Sequence, residues 1–228
     1  MSRPVRKRAA RWRRLVLASS SPRRAELLKA AGFRFRAVGP GVEERAPQPL
    51  SPLRLVQWAA AEKAAAVAAR HSRAIVIGAD TVVALEGRAY GKPRDQGEAR
   101  DILRALSGRT HVVYTAVVVI DPSRPQPRRG FSRTYVTLRE LSPSAIDAYV
   151  RGGEAQDKAG AYAIQGDGRR LVRAIRGPFD NVVGMPMRLV SRLLQECGIA
   201  GPANNPDGAQ HAEHHPTPPL ARGPFRSP

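Results

Sequence analysis

Apolar and polar positions along this chain change period several times, and each change marks an element. Leu15-Val16-Leu17-Ala18 is a short apolar run of the kind a buried strand needs, and Ser19-Ser20-Ser21-Pro22 ends it. A helix is expected next, with Ser21 as N-cap, Pro22 at its first position, Leu27, Leu28 and Ala31 as its apolar stripe, and Gly32 as its stop. Phe33 to Val38 reads as a strand. Residues 51–70 form a second, alanine-rich helix capped by Ser51 with Pro52 behind it. The run from Ala74 to Leu85 is strand-like on both sides of Asp80-Thr81, a polar pair expected to interrupt it, and Glu86-Gly87-Arg88 supplies a turn. Asp95 with Glu98 three residues on resembles a capping box for a helix to Leu106, closed by Gly108. Strands His111 to Ile120 and Phe131 to Leu138 flank a Pro- and Arg-rich connection and form an antiparallel hairpin. A helix from Ser142-Pro143 to Val150, a short strand Leu171 to Ile175 and a helix Pro186 to Cys197 complete the body.

Strands alternating with helices, plus one hairpin, imply an α/β fold: a mixed sheet flanked by helices. No internal repeat is present. A chain of 228 residues suits one domain, expected over residues 15–198, with a basic arm at 1–14 and a Pro-rich tail at 199–228 that are expected to be disordered. No apolar run reaches the roughly 18 residues of a membrane helix. No apolar core and cleavage site follow the basic arm, so a secretory signal is not expected. One cysteine, Cys197, makes no internal disulfide. A cytoplasmic location fits these features.

Charge sharpens the picture less than its size suggests. The formal net charge is +19. Seven basic side chains and no acid lie in residues 1–14, and residues 199–228 balance, which leaves +12 for the body. A body of that charge fits any polyanion, DNA, RNA or a nucleoside triphosphate alike.

Candidate chemistry narrows the choice. Ser19 to Arg24 gathers hydroxyls, helix N-terminal N–H groups and two guanidinium groups, which together suit phosphate; the plain alternative is an N-cap followed by exposed arginines. Asp80 sits in sequence that otherwise wants burial, so it needs a metal ion, a lysine or an activated water as partner, unless it only staples a loop. Lys92, about one hairpin on, reaches back to the same cleft or is a surface lysine. Glu43-Glu44 adds carboxylates to a metal site or is simply solvated. Glu62 and Lys63 are adjacent on a helix, so at most one of them faces a site. Gln165, in a glycine-bracketed turn, has the amide donor and acceptor to read a base edge. His111 is a structural residue at a strand start. His211, His214 and His215 lie in the tail, where a solvated segment is the better reading than a metal site.

These stretches resemble one known family. From about Leu15 to Glu196 the segments LASSSPRRAELL, EKAAAVA, VIGADTVVALEGRAYGKP, LSGRTHVVYTAVVVI, DKAGAYAIQG and NVVGMP are similar, in order and spacing, to the Maf nucleotide pyrophosphatases. The resemblance implies an inosine triphosphatase-like (Maf/Ham1) fold with an elongated mixed sheet and a central cleft. It implies hydrolysis of a nucleoside triphosphate to its monophosphate and pyrophosphate with a divalent cation, Mg²⁺ or Mn²⁺. It makes Asp80 the proton acceptor and a metal carboxylate with Glu44, gives Lys92 a catalytic place, and puts Ser19, Arg24 and Lys63 in the phosphate and metal cluster. Arg23, Thr81 and Gln165 match the branch preferring dTTP and UTP, where the 7-methyl-GTP branch has Trp, Gln and Glu; modified pyrimidine nucleotides such as 5-methyl-UTP fit the same pattern. A homodimer is common among relatives. The rival reading is a nucleic-acid-binding or septum-formation regulatory protein that uses the basic arm; aromatic residues, at 5% of the chain, give it little support.

Overall fold

The computed structural model describes residues 14–42, 46, 48–199 and 201. The expected disorder of the two termini, the tail histidines and Glu44 therefore fall outside the described residues or almost wholly so. Seven strands form one sheet: β1 (Leu15–Ala18), β2 (Arg36–Val38), β3 (Ile75–Leu85), β4 (Arg88–Tyr90), β5 (Thr110–Ile120), β6 (Arg128–Leu138) and β7 (Val172–Arg176). Their order is β2-β1-β3-β5-β6-β7, with β4 also on β3. β1 runs parallel to β2 and β3, and the other pairs are antiparallel, so the sheet is mixed as expected. Among the described residues six helices cover it: α1 (Pro22–Ala30), α2 (Pro52–Arg70), α3 (Gln96–Leu106), α4 (Pro143–Arg151), α5 (Phe179–Val183) and α6 (Met187–Glu196). No helix among the described residues is long and apolar enough to cross a membrane.

Four expectations need correction. β2 covers only Arg36–Val38, half of the strand expected from Phe33 to Val38. Asp80 and Thr81 do not interrupt the strand: β3 runs unbroken for 11 residues, because both side chains project from a backbone that keeps its ladder with β5 from Val76 to Ala84. The turn after it is tighter than expected, so Arg88 already belongs to β4, with Glu86 and Gly87 at positive φ. β6 begins at Arg128, three residues early, since the hairpin ladder extends to Val119 opposite Arg128. The short helix α5 was not expected at all.

Alternation along the central strands divides the core. Val76, Val82, Ala116 and Val118 face α2, where they meet Val56, Ala60, Ala64 and Val67. The opposite face carries two separate clusters. Ile75, Ile77, Val117 and Val119 pack with Leu28 of α1 and Leu193 and Leu194 of α6; Val83, Leu85, Val113 and Val136 pack with Leu103 of α3 and Ile146 and Val150 of α4. Between them on that face stand Thr81 and its ladder partner Thr115. Two apolar cores thus share the strands β3 and β5 and are separated at the waist by hydroxyls.

The same waist is a gap in the sheet edge. On the side of β3 away from β5, β1 pairs only as far as Ala18 with Gly78, and β4 only from Tyr90 with Val83. Among the described residues, Ala79 to Val82 have no strand partner there. β1 and β4 point their carboxyl ends at this gap from opposite directions, so the loops that follow each of them empty into it. Crevices at strand carboxyl ends are where open α/β sheets take ligands.

Candidate active site

The gap opens into a cleft of about 690 Å³, within the range of a small-ligand pocket. Eight of the nine expected site residues line it: Ser19, Arg23, Arg24, Lys63, Asp80, Thr81, Lys92 and Gln165. Glu44, the ninth, lies outside the described residues.

Asp80 and Lys63 occupy its floor. The Lys63 ammonium donates to Asp80 Oδ1 at 2.5 Å, and both side chains are largely buried, at 7% and 14% exposure. Of the partners a buried aspartate requires, the lysine is therefore present. Its neighbour Glu62 is exposed, as adjacency on a helix demands. The pair forms because α2 lies almost on the backbone of β3. At Gly78 a Cβ would come within 2.5 Å of Ala60 O and 2.7 Å of Ala64 Cβ, so only glycine admits the helix that close.

The wall beside them is the β1–α1 turn. Ser19 is buried and its Oγ accepts from Ser21 N at 3.1 Å. Ser21 holds the N-cap backbone conformation but makes no side-chain cap bond; its own N–H goes to the Ser19 hydroxyl. Arg24 donates from Nε to Gly184 O at 2.9 Å and from Nη2 to Thr81 Oγ1 at 3.0 Å. Arg23, half-buried, stands near Asp157 across the cleft. The Asp157 carboxyl is held below its usual range chiefly by its bond from Lys158, with the Arg23 charge adding to the effect.

The far wall runs from Glu154 to Gly166. Gln165 is exposed at its rim, and Lys92 is exposed on the loop after β4. Glu154 Oε2 accepts from Tyr149 OH at 2.9 Å and from Gly168 N at 2.8 Å, and Tyr149 OH accepts from Ala163 N at 3.0 Å. One carboxylate and one phenol thus pin both ends of the turn that carries Gln165. Burial raises the Tyr149 phenol well above its ordinary range and keeps it neutral. Sequence reasoning missed Glu154, Asp157 and Lys158 on the cleft wall, and Tyr149 of α4 behind it; a charged residue in a polar loop gives no sign of the cleft it faces, nor a helix tyrosine of the loop it holds. His111 is buried as a structural residue, with Nε2 2.8 Å from Tyr162 OH, and burial pushes its imidazole down to about 4.

Chemically, the cleft offers a carboxylate–lysine pair on its floor, guanidinium groups beside a helix start on one wall and an amide at the opposite rim. Comparison with known proteins places the chain in a family. A family model described as "Maf-like protein" matches residues 14–197. A protein of Pelotomaculum thermopropionicum named "dTTP/UTP pyrophosphatase" is 45% identical over 81% of this chain and 96% of its own. Proteins of the same name from Moorella thermoacetica and Deinococcus radiodurans are 47% and 46% identical, each over 82% of this chain and over 96% and 94% of their own lengths. A solved structure of the Staphylococcus aureus Ham1 protein aligns with 87% of this chain and 97% of its own at 15% identity and a TM-score of 0.41, too loose a likeness to argue from. With its body matched from end to end and close to half of its residues shared with such relatives, the chain belongs to the Maf-like protein family.

Proposed function

We propose that this protein is a nucleoside triphosphate pyrophosphatase that hydrolyses dTTP and UTP to the monophosphate and pyrophosphate. The observation that carries the reading is the Lys63–Asp80 pair at the sheet gap, facing Arg24 across one cleft. Relatives at 43–47% identity are named for that activity.

In this reading the triphosphate lies along the β1–α1 turn, with Ser19, Arg24 and the helix start holding phosphate oxygens and Lys92 closing over them. Asp80, oriented by Lys63, accepts a proton from the water that attacks the α-phosphorus. The bond from that phosphorus to the bridging oxygen breaks, and pyrophosphate leaves with the oxygen. Gln165 meets the base, its neutral amide suited to the donor and acceptor of a pyrimidine edge, and Arg23 and Thr81 complete the pyrimidine-preferring pattern.

A divalent cation fits the donors in hand. Among the described residues no three His, Cys, Asp or Glu side chains group together, so there is no all-protein cage. Asp80 provides one carboxylate, which suits Mg²⁺ or Mn²⁺ bound jointly by one or two carboxylates and the substrate's own phosphates. Asp80, with Glu44 as the second carboxylate, would hold it, and the ion would neutralise charge on the departing pyrophosphate.

The test is direct. Purified protein with Mg²⁺ or Mn²⁺ and a panel of triphosphates is expected to release pyrophosphate, fastest from dTTP and UTP. Release of orthophosphate, or no turnover, would overturn the reading. Asp80→Asn is expected to lower kcat by roughly 10³-fold with unchanged circular dichroism; an undiminished rate removes Asp80 from the mechanism.

A further inference from the structure

Behind Arg24, and reached through Thr81, lies a line of buried polar side chains that the reaction outlined above does not use. Thr81 Oγ1 is 3.0 Å from Thr115 Oγ1, Thr115 Oγ1 donates to Asn181 O at 2.8 Å, and Asn181 Nδ2 donates to Val113 O and Thr134 Oγ1, each at 3.0 Å. Thr134 Oγ1 in turn donates to Pro178 O at 2.7 Å. Thr115, Thr134 and Asn181 are completely buried.

The direction of each bond follows from the chemistry. A guanidinium only donates, so Thr81 accepts from Arg24. Thr115 has one hydroxyl proton and gives it to Asn181 O, so the proton between the two threonines belongs to Thr81. The chain therefore runs one way, from Arg24 through Thr81 and Thr115 to the backbone of α5. That helix returns the contact, because its C-terminal Gly184 supplies the carbonyl that takes Arg24 Nε. Gly184 has φ +109, and a Cβ there would sit 3.1 Å from Thr81 Oγ1 and 3.3 Å from Arg24 Nε. Two bonds from one edge of the guanidinium, both traceable to Thr115 and Asn181, fix its plane and its roll.

We infer that Thr115 and Asn181 are positioning residues that aim the Arg24 guanidinium into the cleft, acting through Thr81 and through α5. The inference rests on the proposed function for the identity of what Arg24 binds, a phosphate group. The polar line spans the waist between two apolar cores, where aliphatic side chains would unite them; hydroxyls there cost burial without a matching gain in packing. Their geometry explains them, since each converts the rigidity of the central strands into the orientation of one arginine.

The experiment is a coupling measurement. Thr115→Val keeps the shape and removes the hydroxyl; Thr115→Ser keeps the hydroxyl. With UTP as substrate, Thr115→Val is expected to lower kcat/KM about tenfold when Arg24 is present and less than about twofold in the Arg24→Lys background, where there is no fork left to aim. Thr115→Ser is expected to restore most of the loss. Equal losses in both backgrounds, or a serine variant as impaired as the valine one, would overturn the inference and leave Thr115 a merely structural residue. If Thr115→Val does not fold, Thr115→Ala removes the same hydroxyl with a smaller side chain and is judged by the same comparison. If the wild-type protein turns over no triphosphate, the proposed function falls by itself. The coupling is then read from calorimetric Kd values for inorganic pyrophosphate in the same variants, where additivity rejects the inference and non-additivity upholds it.

Discussion

At the scale of single residues, His111 ties burial to pH. In the unfolded chain an imidazole takes up its proton near pH 6.5; in the fold burial defers that to about 4. Between those values the unfolded state holds the extra proton, so stability rises with pH through the window and is lost as pH falls through it. The effect is on the order of 3 kcal/mol. Urea unfolding from pH 4 to 6.5 is expected to show that slope, and His111→Gln to flatten it. Single residues also mark how far sequence alone reaches. Asp80 stood out because a carboxylate in an apolar run demands a partner, yet the identity of the partner needed α2 to be laid on β3. Asp95 was legible as a cap, and its carboxylate accepts from Glu98 N at 2.8 Å. The return half of the expected capping box is displaced by one residue, with Glu98 accepting from Arg94 N at 2.7 Å. Thr115 and Asn181 gave no warning, since a threonine in a β-rich run satisfies strand propensity and an asparagine between loop residues reads as polar surface.

At the scale of elements, the crossing of α2 over β3 is the contact on which the floor of the cleft depends. Gly78 sets its closeness, and the atoms a Cβ would strike are the Ala60 carbonyl and the Ala64 Cβ, neither of which can swing aside as a long side chain would. Gly78→Ala is expected to cost about 1–3 kcal/mol, read as a lower denaturant midpoint at unchanged m-value. It is also expected to reduce turnover by drawing Lys63 away from Asp80. Helix starts and strand spans were readable because caps, prolines and period are local. The bounds of β4 and the short helix α5 were not. β4 has three residues and α5 has five, and such pieces are held by what they pack against rather than by their own pattern.

At the scale of the whole molecule, charge and topology divide the work. The body between the termini carries +12, and the cleft lies where two strand ends meet a gap, so a triphosphate approaches a positive surface that ends in a positive wall. Attraction of that kind is screened by salt. KM for UTP is expected to rise several-fold between about 50 and 300 mM NaCl while kcat changes less than about twofold; a KM indifferent to salt would assign recognition to short-range contacts alone. Mixed-sheet architecture was readable from alternating elements and one hairpin. The division of one face into two apolar cores was not, because it depends on which strands become neighbours.

The edge gap at Ala79–Val82 has a bearing on how such a protein can be altered. On one side β3 is laced to β5 over nine residues from Val76 to Ala84, and much of the sheet depends on that seam. On the other side, among the described residues, no strand pairs with Ala79 to Val82. A substitution of Thr81 leaves that lacing intact, so a variant altered there can persist as an intact molecule on which further change acts, whereas replacing Asp80 strands the buried Lys63 charge.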